Sequence, residues 1–347
     1  MKALFLAGGI GTRLKPLTDN LPKPMVPMMV KPLLERNMLK LKESGVDEII
    51  LSTCYKPQKF EEYFGNGSKF GLKIKYICED IPLGTGGAIK NTESFFDETF
   101  IVFNSDILSD INISELIKFH KQKSAAVTIA VTQVENPSAY GVIEYNEECY
   151  AKSFTEKPKG SSIKSNYINA GIYIFEPDVL KEIPLCRAVS VERETYPLLL
   201  QKGYLIAVYK SDAYWMDIGT LEKYIEAHKD ILSGKCQLPE YKAGNQNIHI
   251  GGNALIHPSV KIISPVYIGE NVEVEAFSTI GPNTVIGNNS KVGKGCTVIN
   301  SILWDHVRVK SASILTDTVL TPNCTLSKNI DYSYTIATEV LNKTAAI

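Results

Sequence analysis

From the first residue to about 232, short apolar runs alternate with stretches of helical spacing, as in a sheet whose parallel strands are joined by crossover helices. Strands are predicted at residues 4–7, 48–52, 74–78, 100–103 and 127–132. A helix is predicted from Pro32, with Leu33, Leu34, Met38 and Leu41 on one face and a stop near Gly45, because proline suits a first helical turn and glycine a helix end. An α/β domain follows from this pattern.

A polar, aperiodic stretch over residues 233–247 interrupts it, and a different pattern follows. A β-branched aliphatic returns every six residues, at Ile250, Ile256, Ile262, Ile268, Val274, Ile280, Ile286, Val292 and Val298. Four residues after each comes a side chain that is often small or β-branched (Ala254, Val260, Val266, Val272, Ser278, Thr284, Ser290, Cys296). This is the pattern of a left-handed parallel β-helix, in which each hexapeptide forms one side of a triangular coil and its Ile or Val points to the axis. An antiparallel sandwich would show period two instead. After Val298 the phase slips by one residue and resumes at Leu303, Val309 and Leu315, which predicts a bulge or an altered corner. The expected division is a first domain over residues 1–235, a linker over 236–248, the repeat domain over 249–330 and a tail over 331–347.

Two domains suit a chain of 347 residues. Its 37 Lys and Arg against 38 Asp and Glu leave a net charge of -1, so no global field draws it to nucleic acid or an anionic membrane. Any phosphate binding must be local. The 7 cysteines are scattered and form no Cys-x-x-Cys pair, which argues against a disulfide framework or a zinc site and for reduced thiols in a cytoplasm. The opening apolar run is too short for a signal sequence or a membrane span and reads as a buried strand.

Two early segments suggest chemistry. Leu6-Ala-Gly-Gly-Ile-Gly-Thr-Arg-Leu14 is a glycine-rich turn followed by an arginine, a form that lets backbone N–H groups approach phosphates, although it matches neither a P-loop nor a dinucleotide fingerprint. A purely structural turn would read the same. In Leu21-Pro-Lys-Pro-Met-Val-Pro27, two prolines restrict the backbone around Lys23, which suits a fixed phosphate contact as well as a solvated loop.

In this order the two segments resemble the opening of the sugar nucleotidyltransferases, which join a nucleoside triphosphate to a sugar 1-phosphate and release pyrophosphate. Further motifs follow in the family's order: Leu83-Gly-Thr-Gly-Gly-Ala88, Phe103-Asn-Ser-Asp106, Tyr140-Gly-Val, Phe154-Thr-Glu-Lys-Pro158, Ile168-Asn-Ala-Gly171 and Tyr214-Trp-Met-Asp-Ile-Gly219. The resemblance implies a Rossmann-like mixed or parallel sheet. It implies nucleotide contacts from Leu6, Ala7, Gly8, Gly9, Gly11, Thr12, Arg13, Lys23, Glu79, Pro82, Gly84, Thr85, Ser105 and Asp106. Sugar-phosphate contacts are implied for Asn104, Tyr140, Gly141, Glu156, Lys157 and Asn169. The catalytic set would be Arg13 on the β and γ phosphates, Lys23 on the α-phosphate, Lys157 on the sugar phosphate, and Asp106 and Asp217 on one Mg²⁺.

Within the family the likeness is greatest to the guanylyltransferases that act on mannose 1-phosphate, over about residues 1–330. Relatives using thymidine or uridine triphosphates tend to carry a glutamine shortly before the base-binding glycine, whereas Cys78-Glu-Asp-Ile-Pro-Leu-Gly84 offers carboxylates. Guanine presents two adjacent donors that a carboxylate can accept together, so GTP is the favoured nucleotide, Glu79 its expected reader and Asp80 the alternative. Gly86-Gly87 also resembles the heptose-1-phosphate guanylyltransferases. A glucose-1-phosphate thymidylyl- or uridylyltransferase, a hexapeptide acyltransferase and a non-catalytic sugar-nucleotide-binding relative are the rivals. The acyltransferase would need a catalytic histidine, and His249, His257 and His306 read more simply as turn or surface residues. The open ends of a β-helix predict a homo-oligomer, with neither nucleic acid nor membrane as partner.

Overall fold

The computed structural model describes residues 1–160, 165–238, 241, 247–328, 331–333, 335–337 and 344–346. Residues 239–240 and 242–246 of the expected linker, and 329–330, 334, 338–343 and 347 around the expected tail, lie outside the described residues. The chain divides into two compact units. One comprises Met1–Ile10, Leu21–Met25 and Leu33–Asp217, and the other Gly11–Asn20, Val26–Pro32 and Ile218–Ile347.

Up to residue 217 the strands are β1 (Lys2–Ala7), β2 (Pro27–Met28), β3 (Lys31–Pro32), β4 (Glu48–Thr53), β5 (Lys73–Cys78), β6 (Phe100–Asn104) and β7 (Ile107–Ser109), then β8 (Val127–Gln133), β9 (Gly141–Tyr145), β10 (Ala151–Glu156), β11 (Tyr167–Phe175), β12 (Ile206–Lys210) and β13 (Trp215–Asp217). The helices are α1 (Leu33–Glu43), α2 (Gln58–Phe64), α3 (Gly84–Asn91), α4 (Ile113–Lys123), α5 (Tyr196–Gln201) and α6 (Leu221–Leu232). Each strand expected from the apolar runs is present.

In the first unit a mixed sheet runs β10-β9-β11-β6-β1-β4-β5, with β8 pairing β11 and β12. Strands β6, β1, β4 and β5 are parallel, and β11 is antiparallel to β6 and β8. Alternate residues of the parallel strands feed two cores: Phe5, Leu51 and Phe103 face one, and Leu4, Ile50 and Val102 the other. Burial on both faces explains why β1, β4 and β6 read as apolar runs, whereas β5, at the sheet edge, keeps Lys73 and Lys75 exposed. Helix α1 sends Leu34, Met38 and Leu41 into the first core and stops before Gly45, whose φ of 90° is a left-handed backbone that glycine adopts without strain.

In the second unit, strands of two or three residues stack into three parallel ladders from Ile248–Ile250 onward, forming a parallel β-helix. Ile268, Val274, Ile280, Ile286, Val292 and Val298 are buried in its interior. Ile250, the first residue of the period, is instead 48% exposed, since its strand ends a ladder and has a neighbour on one side only. The phase slip is an altered corner rather than a bulge. Register partners such as Ile280 and Val298 are 18 residues apart before it, whereas Val298 and Leu315 are 17 apart after it. The corner at Asn300–Ser301 is one residue shorter, and later coils repeat it, with Leu303 pairing Leu320 at the same spacing of 17. Asn271, Asn289, His306 and Asn323 turn successive corners with left-handed backbone, and Asn271 Nδ2 donates to Asn289 Oδ1 at 3.2 Å. His306 is thus a corner residue.

The same unit holds the β2–β3 hairpin and α6. Tyr224 OH donates to Pro27 O at 3.0 Å and accepts from Trp304 Nε1 at 2.9 Å. Met29 N donates to His228 Nε2 at 3.0 Å, so that nitrogen carries no proton and Nδ1–H donates to Tyr224 O at 2.8 Å. Among the described residues no helix is long and apolar enough to cross a membrane.

Candidate active site

The carboxyl ends of the parallel strands form one row, because Ala7 pairs with Thr53, Thr53 with Cys78 and Leu6 with Asn104. In open α/β sheets this end is where ligands bind. A Cβ added at Gly9 would meet nothing within 4 Å, so no protein neighbour demands the missing side chain there. Leu6 O accepts from Ser105 Oγ at 2.6 Å, which fixes the turn carrying Asp106 against the first strand.

Lys23 lies in the short 3-10 turn Lys23–Met25, and its ammonium forms an ion pair with Asp106. Strand β13 pairs with β7 so that Asp217 stands opposite Ile107, the residue after Asp106. Two carboxylates remote in sequence are thereby brought to neighbouring backbone positions. Asp217 Oδ1 also accepts from Tyr140 OH at 2.8 Å, and Tyr140 O accepts from Lys157 N at 2.9 Å, which joins the sugar-phosphate candidates to the same carboxylate. Trp215 holds this corner by donating to Ala170 O at 2.8 Å and by an edge contact with the Tyr140 ring. Among the described residues no cluster of three or more His, Cys, Asp or Glu could hold a metal. Two hard oxygen ligands that leave most positions to phosphate and water do suit Mg²⁺, which keeps waters and binds through one or two carboxylates.

Gly11, Thr12 and Arg13 belong to the second unit. Gly11 has φ 69°, its carbonyl accepts from Thr18 Oγ1 at 2.9 Å, and Arg13 follows in the 3-10 turn Thr12–Leu14 with its side chain exposed.

The other half of the site is built on a break in β11. Its ladder with β8 slips between Asn169 and Tyr173, and Gly171, at φ 73°, occupies the break. A Cβ on Gly171 would lie 2.8 Å from Asn104 Nδ2, so glycine lets the strand approach Asn104. Among the described residues Asn104 Oδ1 is buried without a hydrogen-bond partner, a deficit that costs about 1–3 kcal/mol and that a ligand hydroxyl could relieve. Asn169, expected to meet sugar hydroxyls, works largely inside the break. Its Nδ2 donates to Tyr173 OH at 2.6 Å and its Oδ1 accepts from Gly171 N at 2.9 Å. A Cβ at Gly141 would come within 2.9 Å of Glu156 Oε2, so this glycine makes room for the carboxylate. Burial, then the nearby Glu192 carboxylate, raises the Glu156 pKa, with Lys157 and Arg193 opposing. Lys157 adopts φ 50°, a strained conformation for a non-glycine residue, with its ammonium largely exposed and 3.9 Å from Glu156.

Glu79, the expected reader of guanine, is engaged within the protein. It is only 6% exposed; its Oε1 accepts from Ser52 Oγ at 2.7 Å and its Oε2 from Leu83 N at 2.9 Å. The carboxylate therefore closes the turn between β5 and α3 from within, while Asp80 and Pro82 are exposed. The glycines of Leu83-Gly-Thr-Gly-Gly-Ala88 also have a protein reason. A Cβ at Gly84 would lie 2.6 Å from Val189 O and one at Gly87 2.8 Å from Arg187 O. No motif marks this partner segment, Val189-Ser-Val-Glu-Arg-Glu194, in the sequence.

Residues 2–234 match the nucleotidyl transferase family and residues 262–342 the GMPPB C-terminal domain. The chain is 37% identical to a mannose-1-phosphate guanylyltransferase of Mycobacterium tuberculosis over 90% of its own length and 82% of that protein. It is 33% identical to a UTP--glucose-1-phosphate uridylyltransferase of Synechocystis over 91% of its own length and 86% of that protein. Among solved structures, HddC from Yersinia pseudotuberculosis complexed with GMP-PN matches 65% of this chain and 97% of its own, at 31% identity and a TM-score of 0.56. With a family match across two thirds of the chain and relatives matched over most of their length, this protein belongs to the nucleotidyl transferase family.

Proposed function

We propose that the protein joins GTP to mannose 1-phosphate, giving GDP-mannose and pyrophosphate. The observation that carries this reading is the β7–β13 pairing, which sets Asp217 beside Asp106 while Lys23 is paired to Asp106. A phosphate oxygen of the sugar phosphate attacks the α-phosphorus; the bond from that phosphorus to the bridging oxygen breaks, and pyrophosphate leaves with its electron pair. The attacking oxygen is already anionic, so no general base is required. Lys23 supplies a fixed positive charge at the α-phosphate, Arg13 a bidentate donor for the outer phosphates and Lys157 a charge for the sugar phosphate. Mg²⁺, held by Asp106 and Asp217, would neutralise charge on the phosphates.

With Glu79 engaged inside its turn, reading of the base falls to Asp80 and to the backbone of Gly84 and Thr85. Glu156 and the unpartnered Asn104 Oδ1 receive sugar hydroxyls, with Tyr140 and Gly141 shaping that pocket. In this reading residues 1–235 carry catalysis and 249–330 support a homo-oligomer in the cytoplasm. Guanine and mannose are supported by the mycobacterial relative, and guanine also by the GMP-PN complex of HddC. Uridylyl transfer to glucose 1-phosphate is the second reading, favoured by the Synechocystis relative. Pyrophosphate release measured across GTP, UTP and dTTP with mannose, glucose and heptose 1-phosphates tests both.

A further inference from the structure

The base-binding turn and the sugar half of the site meet at one carboxylate outside every motif. Glu192 lies in the π-helical turn Val191–Thr195 that leads into α5. Its Oε2 accepts from Thr85 Oγ1 at 2.9 Å and from Ser190 Oγ at 2.9 Å, while Thr85 Oγ1 accepts from Val191 N at 2.9 Å. Backbone bonds complete the joint: Gly86 N donates to Val189 O at 2.8 Å and Val189 N to Leu83 O at 2.9 Å. On its other side the Glu192 charge acts on Glu156 and on the buried Tyr173, whose hydroxyl accepts from Asn169. Among the described residues Glu192 forms no ion pair.

A residue needed only to hold Thr85 could be neutral. A carboxylate placed where it repels the half-buried Glu156 raises the cost of ionising that group, so its charge calls for an explanation beyond the hydroxyl contacts. We propose that Glu192 is a positioning residue for nucleotidyl transfer, tying the base-binding turn at Thr85 to the sugar pocket around Glu156. The proposal rests on the nucleotidyltransferase reading of the site. Glu192 orients Thr85, which presents the turn to the nucleotide, and its charge controls when Glu156 becomes a hydroxyl acceptor. The charged groups facing Glu156 are Glu192, Lys157 and Arg193. Removing the Glu192 charge therefore lets Glu156 ionise at lower pH.

Three variants separate the two duties in the full-length protein. Glu192→Gln keeps an acceptor for Thr85 and loses the charge; Glu192→Asp keeps the charge and shortens the reach; Thr85→Val removes the contact together with the bond from Val191 N. Calorimetric binding of GDP-mannose between pH 4 and 8 is measured beside the pH profile of pyrophosphate release. Glu192→Gln is expected to move the acid limb of binding to lower pH with little loss of affinity at pH 8. Glu192→Asp and Thr85→Val are expected to weaken binding roughly three- to tenfold at pH 8, the net size of an ordinary hydrogen bond, and to leave the limb in place. A purely structural role would lower the melting temperature of all three and leave the acid limb of each unmoved, and that result overturns the proposal. If the wild type releases pyrophosphate with no substrate pair, the transfer reading fails while the binding limb still decides Glu192. If Glu192→Gln does not fold, the proposal falls should Glu192→Asp and Thr85→Val bind as wild type does.

Discussion

The two units treat buried polar groups in opposite ways. In the β-helix buried serines are answered by the next coil: Ser278 Oγ donates to Gly293 O at 2.9 Å and accepts from Cys296 N at 3.1 Å, and Ser290 Oγ donates to Trp304 O at 3.1 Å and accepts from Val307 N at 3.0 Å. In the sheet unit Asn104 Oδ1, Thr195 Oγ1 and Tyr196 OH are buried with no partner, and among the described residues such atoms occur in that unit alone. Repetition satisfies its own polar groups. A site built to receive a ligand leaves some of them open.

The contrast predicts that substitutions in the two units fail differently. The largest effect is expected at the paired carboxylates: Asp106→Asn or Asp217→Asn should lower kcat by about a thousandfold, as loss of charge stabilisation at a phosphoryl centre implies, with unchanged circular dichroism. Near-normal Mg²⁺-dependent turnover in either variant would remove that residue from the site. In the β-helix, Leu303→Ala should cost about 2–5 kcal/mol in a urea melt, since Leu303 is fully buried, and leave KM untouched. A raised KM without loss of stability would break the division of labour.

A smaller effect tests the reassigned glutamate. Glu79→Gln should raise KM for every nucleoside triphosphate by roughly three- to tenfold, because the turn held through Leu83 N loosens, with the ratio of GTP to UTP unchanged. A tenfold fall in that ratio would return base reading to Glu79. The smallest effect is expected at a corner of the β-helix. Asn271, at φ 54°, donates to Asn289, and Asn271→Ala should cost about 1 kcal/mol, with glycine at that position costing less.

Much of this architecture is legible from the chain because it is periodic or locally coded. The period of six follows from one inward side chain per coil face, and even the slip after Val298 marks the shortened corner at Asn300–Ser301. The doubly buried strands are visible because both of their faces are apolar. The site is legible only in part. Asp106, Lys23 and Asp217 belong to sequence motifs, but their meeting depends on the β7–β13 pairing, a long-range contact that no local pattern encodes. The bonds of Glu79 to Ser52 and Leu83 are not coded locally either, because a carboxylate beside such a turn looks the same in sequence whether it faces a ligand or the backbone of its own turn. Glu192 is invisible for a related reason: its stretch carries ordinary solvated charges, and only the fold brings it against Thr85.

The central claim is that this chain transfers a guanylyl group to mannose 1-phosphate. Its most direct test is kcat/KM for Mg²⁺-dependent pyrophosphate release by the full-length protein, with GTP, UTP and dTTP each offered with mannose 1-phosphate and glucose 1-phosphate. The account predicts that GTP with mannose 1-phosphate exceeds every other pair by at least about tenfold, the discrimination that one good hydrogen-bond pair to a base or sugar supplies. A preference for UTP with glucose 1-phosphate would contradict it and assign the protein to uridylyl transfer.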